Sequence, residues 1–171
     1  MVICGTAWGD VARCGNLASL THHQSGREMV FRGSSRYSLD NRGRIPLPAR
    51  FRSSFGDGVV LVENRDGCVE VHDAAAYEKR AEFLLSQRPT REKVRLLWRG
   101  YFGNSFDAEI DGQGRILLPP DVRQHGDLNG QVVVVGCGGY LEIWNPQRWA
   151  AQQEKINARY DADMESMEER P

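Results

Sequence analysis

The sequence predicts a mainly β fold with peripheral α-helices: one pseudo-symmetric β-barrel made from the interleaved hairpins of two copies of a single unit. Three observations predict it. Residues 39–52 (LDNRGRIPLPARFR) return 71 positions later as residues 110–123 (IDGQGRILLPPDVR), so that Asp40, Gly43, Arg44 and Pro48 match Asp111, Gly114, Arg115 and Pro119. Most apolar stretches are short, alternating or valine-rich, and Gly/Asp turns separate them, which is a strand pattern. Neither copy alone has enough residues for a generous core, so the two must share one.

Each unit has the same plan. It opens on an alternating strand, with Tyr37 and Leu39 on one face and Arg36 and Ser38 on the other. Its counterpart sets Phe106, Ala108 and Ile110 against Asp107 and Glu109. A tight Asp-x-x-Gly-Arg turn follows, in which Asp40 or Asp111 can bond the turn's own N–H groups while Gly43 or Gly114 supplies a positive φ. A short strand (residues 44–47, 115–118) runs to a proline able to open a short helix. Two valine-rich strands then form a hairpin, turning at residues 65–67 and 136–139. A helix closes each unit, capped by Asp73 in the first and opened by Asn145 and Pro146 in the second. Residues 90–99 read as a linker helix with Val94, Leu97 and Trp98 as its apolar positions. The expected organisation is a disordered extension over 1–28, a first repeat over 29–78, a helical linker over 79–100, a second repeat over 101–149, and a C-terminal helix with an acidic tail over 150–171. The short strands leave edges that must be covered, which favours self-association.

Composition narrows the function classes. Of the 171 residues, 40% are apolar and 26% charged, which suits a packed soluble domain rather than a disordered tail. No apolar run approaches the roughly 18 residues of a membrane span, and Gly5, Gly9 and Asp10 break up the weakly apolar start, so neither a signal peptide nor a membrane partner is expected. Four scattered cysteines make no secreted disulfide scaffold. The expected location is therefore the cytoplasm.

The near-neutral total hides an uneven charge distribution. Residues 29–55 hold Arg32, Arg36, Arg42, Arg44, Arg50 and Arg52 against Asp40 alone, a net charge of +5. The second copy replaces Arg32, Arg36, Arg42 and Arg50 with Gly103, Asp107, Gln113 and Asp121, and residues 101–127 carry a net −3. Arginine clustering of this kind fits double-stranded DNA, because the planar guanidinium can fork onto guanine or hold a phosphate. The expected DNA contacts are Arg32, Arg36, Arg42, Arg44, Arg50, Arg52 and Arg115, with the first repeat the principal face. For Arg44 and Arg115 a second role stays open, an Asp–Arg pair that pins the turn. Asp40, Gly43, Asp111 and Gly114 are expected to build the turns.

Other chemistries find no footing. Cys4, Cys14, His22 and His23 match no compact zinc spacing. The Gly136-Cys137-Gly138-Gly139 run lacks the Lys-Ser/Thr ending of a P-loop. Cys68 and Cys137 read as packing residues, and no nucleophile elbow or His-Glu-x-x-His pattern occurs. Neither an enzyme activity, nor a cofactor or metal, nor a small-molecule substrate is expected.

MVFRG at 29–33, SLDNRGRIPLPARFR at 38–52, EIDGQGRILLPPDVR at 109–123 and YLEIWNPQRW at 140–149 together resemble the MraZ family, bacterial regulators with two tandem SpoVT-AbrB-type repeats. The resemblance covers residues 29–149. It implies a swapped-hairpin β-barrel, ring-like homo-oligomers and association with the nucleoid. It further implies binding to short direct repeats upstream of the division and cell-wall gene cluster, with repression of the family's own operon. The family's Asp-x-x-x-Arg signature falls on Asp40 with Arg44 and on Asp111 with Arg115. A competing expectation is an antitoxin-like module that binds a partner protein through the segment beyond Ala150.

Overall fold

The computed structural model describes residues 30–56 and 58–168. The expectations for residues 1–28, including Cys4, Cys14, His22 and His23, lie outside the described residues. The first repeat supplies β1 (Ser34–Ser38), β2 (Arg44–Pro46), a 3-10 helix (Ala49–Ser54), β3 (Val59–Glu63), β4 (Val69–Asp73) and α1 (Ala74–Leu85). After α2 (Glu92–Phe102), the second supplies β5 (Ser105–Ala108), β6 (Arg115–Leu117), α3 (Pro120–Gly126), β7 (Gln131–Gly136), β8 (Leu141–Trp144) and α4 (Pro146–Glu168).

Six strands form one antiparallel sheet in the order β1-β7-β8-β4-β3-β5. Its pairing crosses between the repeats. β1 pairs with β7, Ser34 opposite Val135, and β5 pairs with β3, Ser105 opposite Val62. Those two registers are the same register, displaced by one repeat. β4 and β8 meet at the middle, Glu70 opposite Glu142. β2 and β6 form a separate two-stranded ribbon centred on the Ile45–Ile116 pair, so this pair marks the pseudo-two-fold axis.

The expected barrel does not close through hydrogen bonds. The sheet is open, with β1 and β5 at its two edges, and the ribbon lies apart from it. The cause is local. After each opening strand the Asp-x-x-Gly-Arg turn sends the chain into the ribbon, and the prolines at 48 and 119 follow the ribbon strands closely. Proline has no N–H to extend a ladder, so the ribbon stays three residues long.

Alternation along the strands makes the core. Val59 and Leu61, Val69 and Val71, Val132 and Val134, and Leu141 and Ile143 all point inward and are buried. Ile45, Ile116 and Leu118 enter from the ribbon side. Phe31 seals one end, edge-on to Phe51 at 4.9 Å and stacked on Phe55 at 5.3 Å. The valine runs are buried on both faces because a second cluster, Cys68, Val133, Val135 and Trp144, lies on the outer face with Cys137 and Trp149 packed against it. Burial raises both thiols, Cys137 to about 12, so they stay protonated and apolar.

The helices differ in how they dock. Asp73 caps α1 by accepting from Ala76 N–H, and α1 packs on α2 through the stacked Tyr77 and Tyr101 rings. The Trp98 indole N–H donates to the Leu84 carbonyl across the same pair. α4 opens at Asn145, whose Oδ1 accepts from Gln147 N–H at 2.9 Å and Arg148 N–H at 3.3 Å. With 23 residues it is about 34 Å long. Trp149 holds its first turns, while residues 153–167 are all exposed. Among the described residues no helix is long and apolar enough to cross a membrane.

Candidate nucleic-acid interface

The repeated motif folds into two turns of one geometry. In the first, Asp40 Oδ1 accepts from the N–H groups of Arg42 and Arg44, both at 2.9 Å, and Gly43 takes φ 77°. In the second, Asp111 Oδ1 accepts from Gln113 at 2.9 Å and Arg115 at 3.0 Å, and Gly114 takes φ 75°. A side chain shorter or longer than aspartate would not span this loop while keeping its second oxygen free for the arginine.

The two turns meet at the pseudo-two-fold axis through four charges. Arg44 donates from Nε to Asp40 Oδ2 at 2.7 Å, and Arg115 from Nε to Asp111 Oδ2 at 2.8 Å. Each guanidinium also reaches across, Arg44 to Asp111 and Arg115 to Asp40, both at 3.7 Å. Asp40 is held at about 2, first by the Arg44 N–H and then by its guanidinium. Asp111 is likewise held at about 2, the Arg115 side chain leading and its N–H following. Both lie below the roughly 3.9 of a free aspartate, so their stabilising contribution is complete above about pH 4 and is lost as pH falls toward 2. The melting temperature of the protein should therefore drop through this window, and a D40N/D111N variant should show a shallower drop. Equal slopes for the two would show that the acid sensitivity lies elsewhere.

A second pair of arginines locks the repeats together. Arg52 donates from Nε to the Leu47 carbonyl at 3.1 Å and lies over Gly114 of the other repeat. Arg123 mirrors it, bonding the Leu118 carbonyl at 3.2 Å and lying over Gly43. Leu47 N–H donates to the Gly114 carbonyl and Leu118 N–H to the Gly43 carbonyl, which ties each helix entry to the opposite turn. A Cβ on Gly114 would overlap the Arg52 guanidinium, and the φ of 75° disfavours any side chain there. Gly114→Ala should cost about 1–3 kcal/mol. At about 2–4 °C per kcal/mol for a chain of this size, a thermal melt resolves it. An unchanged melt would mean that Arg52 swings away freely.

The expected contact residues divide into groups. Arg42 is exposed at the tip of the first turn, and Gln113 is its counterpart on the second. Arg44 and Arg115 lie beneath the tips, their side chains 25% and 24% exposed and engaged with carboxylates. Arg52 flanks the second turn from the other repeat. Arg32 and Arg50 sit together at the start of β1, where Arg50 donates to the Arg32 carbonyl at 2.8 Å and covers the Phe51 ring. Arg36 stands apart on the outer face of β1, opposite Val133 and beside Trp149 and Gln153. The ribbon thus presents two rigid turn tips, one carrying arginine and one glutamine, side chains suited to forked bonds with guanine and adenine respectively.

The family model for MraZ protein, whose description likens the family to antitoxins, matches residues 30–96 and again residues 101–170. The chain belongs to the MraZ family. Each matched stretch contains one pinned turn. Among similar proteins is the transcriptional regulator MraZ of Heliobacterium modesticaldum, 34% identical over 138 residues, 81% of this chain and 96% of the relative. Another is that of Thermomicrobium roseum, 36% identical over 129 residues, 75% of this chain and 91% of the relative. A third is that of Dehalococcoides mccartyi, 33% identical over 141 residues, 82% of this chain and 99% of the relative.

Two ties within this MraZ fold escape sequence reasoning. Arg123 matched Arg52 in the repeat alignment, but nothing local shows that each covers a glycine of the other copy. Arg148, 81 residues beyond Gly67, bonds both the Gly67 and His125 carbonyls at 2.9 Å, clamping the β3–β4 turn to α3.

Proposed function

We propose that the chain is a sequence-specific DNA-binding transcriptional regulator. The observation that carries the reading is the pair of carboxylate-pinned turns on the pseudo-two-fold axis, presenting Arg42 at the exposed tip of the arginine-rich first repeat and Gln113 at that of the second. A two-stranded ribbon is narrow enough for the major groove, and preformed turns enter it at little entropic cost. Arg42 reads a base, Arg32, Arg36, Arg50 and Arg52 hold phosphates, and Arg44 and Arg115 shape the turns and add positive charge beneath them. Its targets are short direct repeats upstream of the division and cell-wall gene cluster, including its own operon, and it works at the nucleoid as a homo-oligomer, a ring. The cross-repeat pairing of β1 with β7 and β5 with β3 supports a swapped-hairpin origin for the shared core.

Footprinting on the region upstream of the gene tests the reading. Protection of evenly spaced short repeats is expected, and uniform or absent protection would overturn it. The likeness of the family to antitoxins supports a second reading, a protein-binding module, which predicts tight association with a neighbouring gene product and no protected repeats.

A further inference from the structure

The last carbonyls of a helix have no donor within it. At the end of α3, Leu128 N–H donates to the Arg123 carbonyl at 2.8 Å and Asp127 N–H to the Gln124 carbonyl at 3.1 Å. The next carbonyl, that of His125, accepts instead from Arg148 on α4 at 2.9 Å. The same nitrogen, Nη1, donates to the Gly67 carbonyl in the β3–β4 turn at 2.9 Å. Gly67 takes φ 82°, and a Cβ there would meet the Arg148 guanidinium. A cation at this place also suits the negative end of the α3 dipole. The His125 ring adds a second tie, donating from Nε2 to the Asn64 carbonyl at 2.7 Å. The end of α3 is thus fixed to the β3–β4 turn from two sides.

What α3 carries gives the clamp its importance. Arg123, two residues before His125, lies over Gly43. Its Nε holds the Leu118 carbonyl, and Leu118 N–H donates to the Gly43 carbonyl at 3.0 Å. A chain of direct contacts therefore runs from Arg148 through α3 to the turn that presents Arg42. The second turn is backed differently. It is covered by Arg52 on the 3-10 helix, and the counterpart of Arg148 in α1 is Ala76, whose side chain has no donor. Within themselves the two turns are matched bond for bond, so the difference between them lies in what stands behind.

We propose that Arg148 is a positioning residue for DNA reading: by fixing the end of α3 it holds Arg123 on Gly43, and so the turn that carries Arg42. The inference rests on the base-reading role of Arg42 given under the proposed function. A tip already held in place loses less freedom on binding. Loss of the clamp therefore weakens discrimination between sequences and leaves the general attraction to phosphates alone.

Two measurements test this. The first needs no DNA. In hydrogen exchange of the wild type, corrected for intrinsic rates, Gly43 and Arg44 amides are expected to exchange more slowly than those of Gly114 and Arg115. Arg148→Ala is expected to erase the difference. Equal protection of the two turns in the wild type overturns the inference even if the variant fails to fold, and so does a difference that survives Arg148→Ala. The second compares binding to a duplex of the region upstream of the gene with binding to its scrambled sequence. Folded Arg148→Ala, checked by circular dichroism, is expected to lose about two- to thirty-fold of the preference. It should lose none beyond that of Arg42→Ala when the two are combined. Asp73→Ala, which removes the α1 cap, controls for lost stability and should keep the preference. Arg148→Lys, which retains a donor, should restore most of it. An unchanged preference, or an equal further loss in the Arg42→Ala background, overturns the inference and leaves DNA reading standing. A salt slope lowered by about one would make Arg148 a phosphate contact and overturn it likewise. A wild type with no preference for the upstream duplex overturns both.

Discussion

Raising salt from 50 to 200 mM should weaken operator binding by about 150-fold if the four exposed arginines assigned to phosphates, Arg32, Arg36, Arg50 and Arg52, each neutralise one. Each such contact contributes about −0.9 to the slope of log K against log salt. A ring that engages several repeats multiplies the effect. The expectation becomes specific at Arg42. Were Arg42 a phosphate contact, Arg42→Ala would lower the slope by about one and affect all sequences alike. As a base reader it should instead cost about 1–3 kcal/mol on the operator, roughly ten- to a hundred-fold, and leave the slope unchanged. Titration of operator and scrambled DNA at several salt concentrations separates these. A flat salt dependence would remove the arginine-led interface altogether. Arg44→Ala and Arg115→Ala serve as paired controls. Their side chains have equivalent carboxylate partners, so the two should lose stability alike, and any excess loss of DNA affinity in Arg44→Ala reports the more basic surroundings of the first repeat.

Local features of this fold were legible because they are written in neighbouring residues. The aspartate-glycine turns, the valine strands and the Asp73 and Asn145 caps all depend on groups a few positions apart, and the repeat shows each of the turns and strands twice. Partner choice between strands does not. Nothing in Ser34 or Val135 distinguishes pairing within a repeat from pairing across it, because the two copies carry nearly the same alternation; the shared core decides. The same limit explains why the open sheet was not foreseen, since closure depends on whether β1 and β5 meet in space. At the site, sequence showed which residues cluster but left open what Arg44 bonds. Its pairing with Asp40 is a four-residue affair, whereas the reach to Asp111 exists only once the ribbon brings the two turns together. The C-terminal helix was legible over residues 150–171, but not that the side chains of its residues 153–167 would all be exposed.

Two adjacent leucines should respond in opposite ways to truncation, and the contrast probes how the core supports the turns. Leu118 is fully buried where both repeats meet, and its N–H donates to the Gly43 carbonyl of the first turn. Leu117, one residue earlier on the ribbon, is 52% exposed. Leu118→Ala removes buried methyl groups and leaves a cavity that neighbours such as Ile45, Ile116 and Val122 cannot fill without breaking the ribbon register. Substitutions of this kind cost about 2–5 kcal/mol. At about 2–4 °C per kcal/mol for a chain of this size, a 3 kcal/mol loss lowers the melting temperature by about 6–12 °C. Leu117→Ala should stay within about 0.5 kcal/mol. The consequence extends to function, because the backbone of residue 118 helps hold the turn that carries Arg42. A Leu118→Ala protein that is still folded at low temperature should therefore bind the operator less tightly without losing any side chain of the interface. Arg42→Ala should do the reverse, lowering affinity while leaving the melt unchanged. If Leu118→Ala melts late, the ribbon is not part of the cooperative core. If it melts early yet binds normally, the turns are held by their aspartates alone.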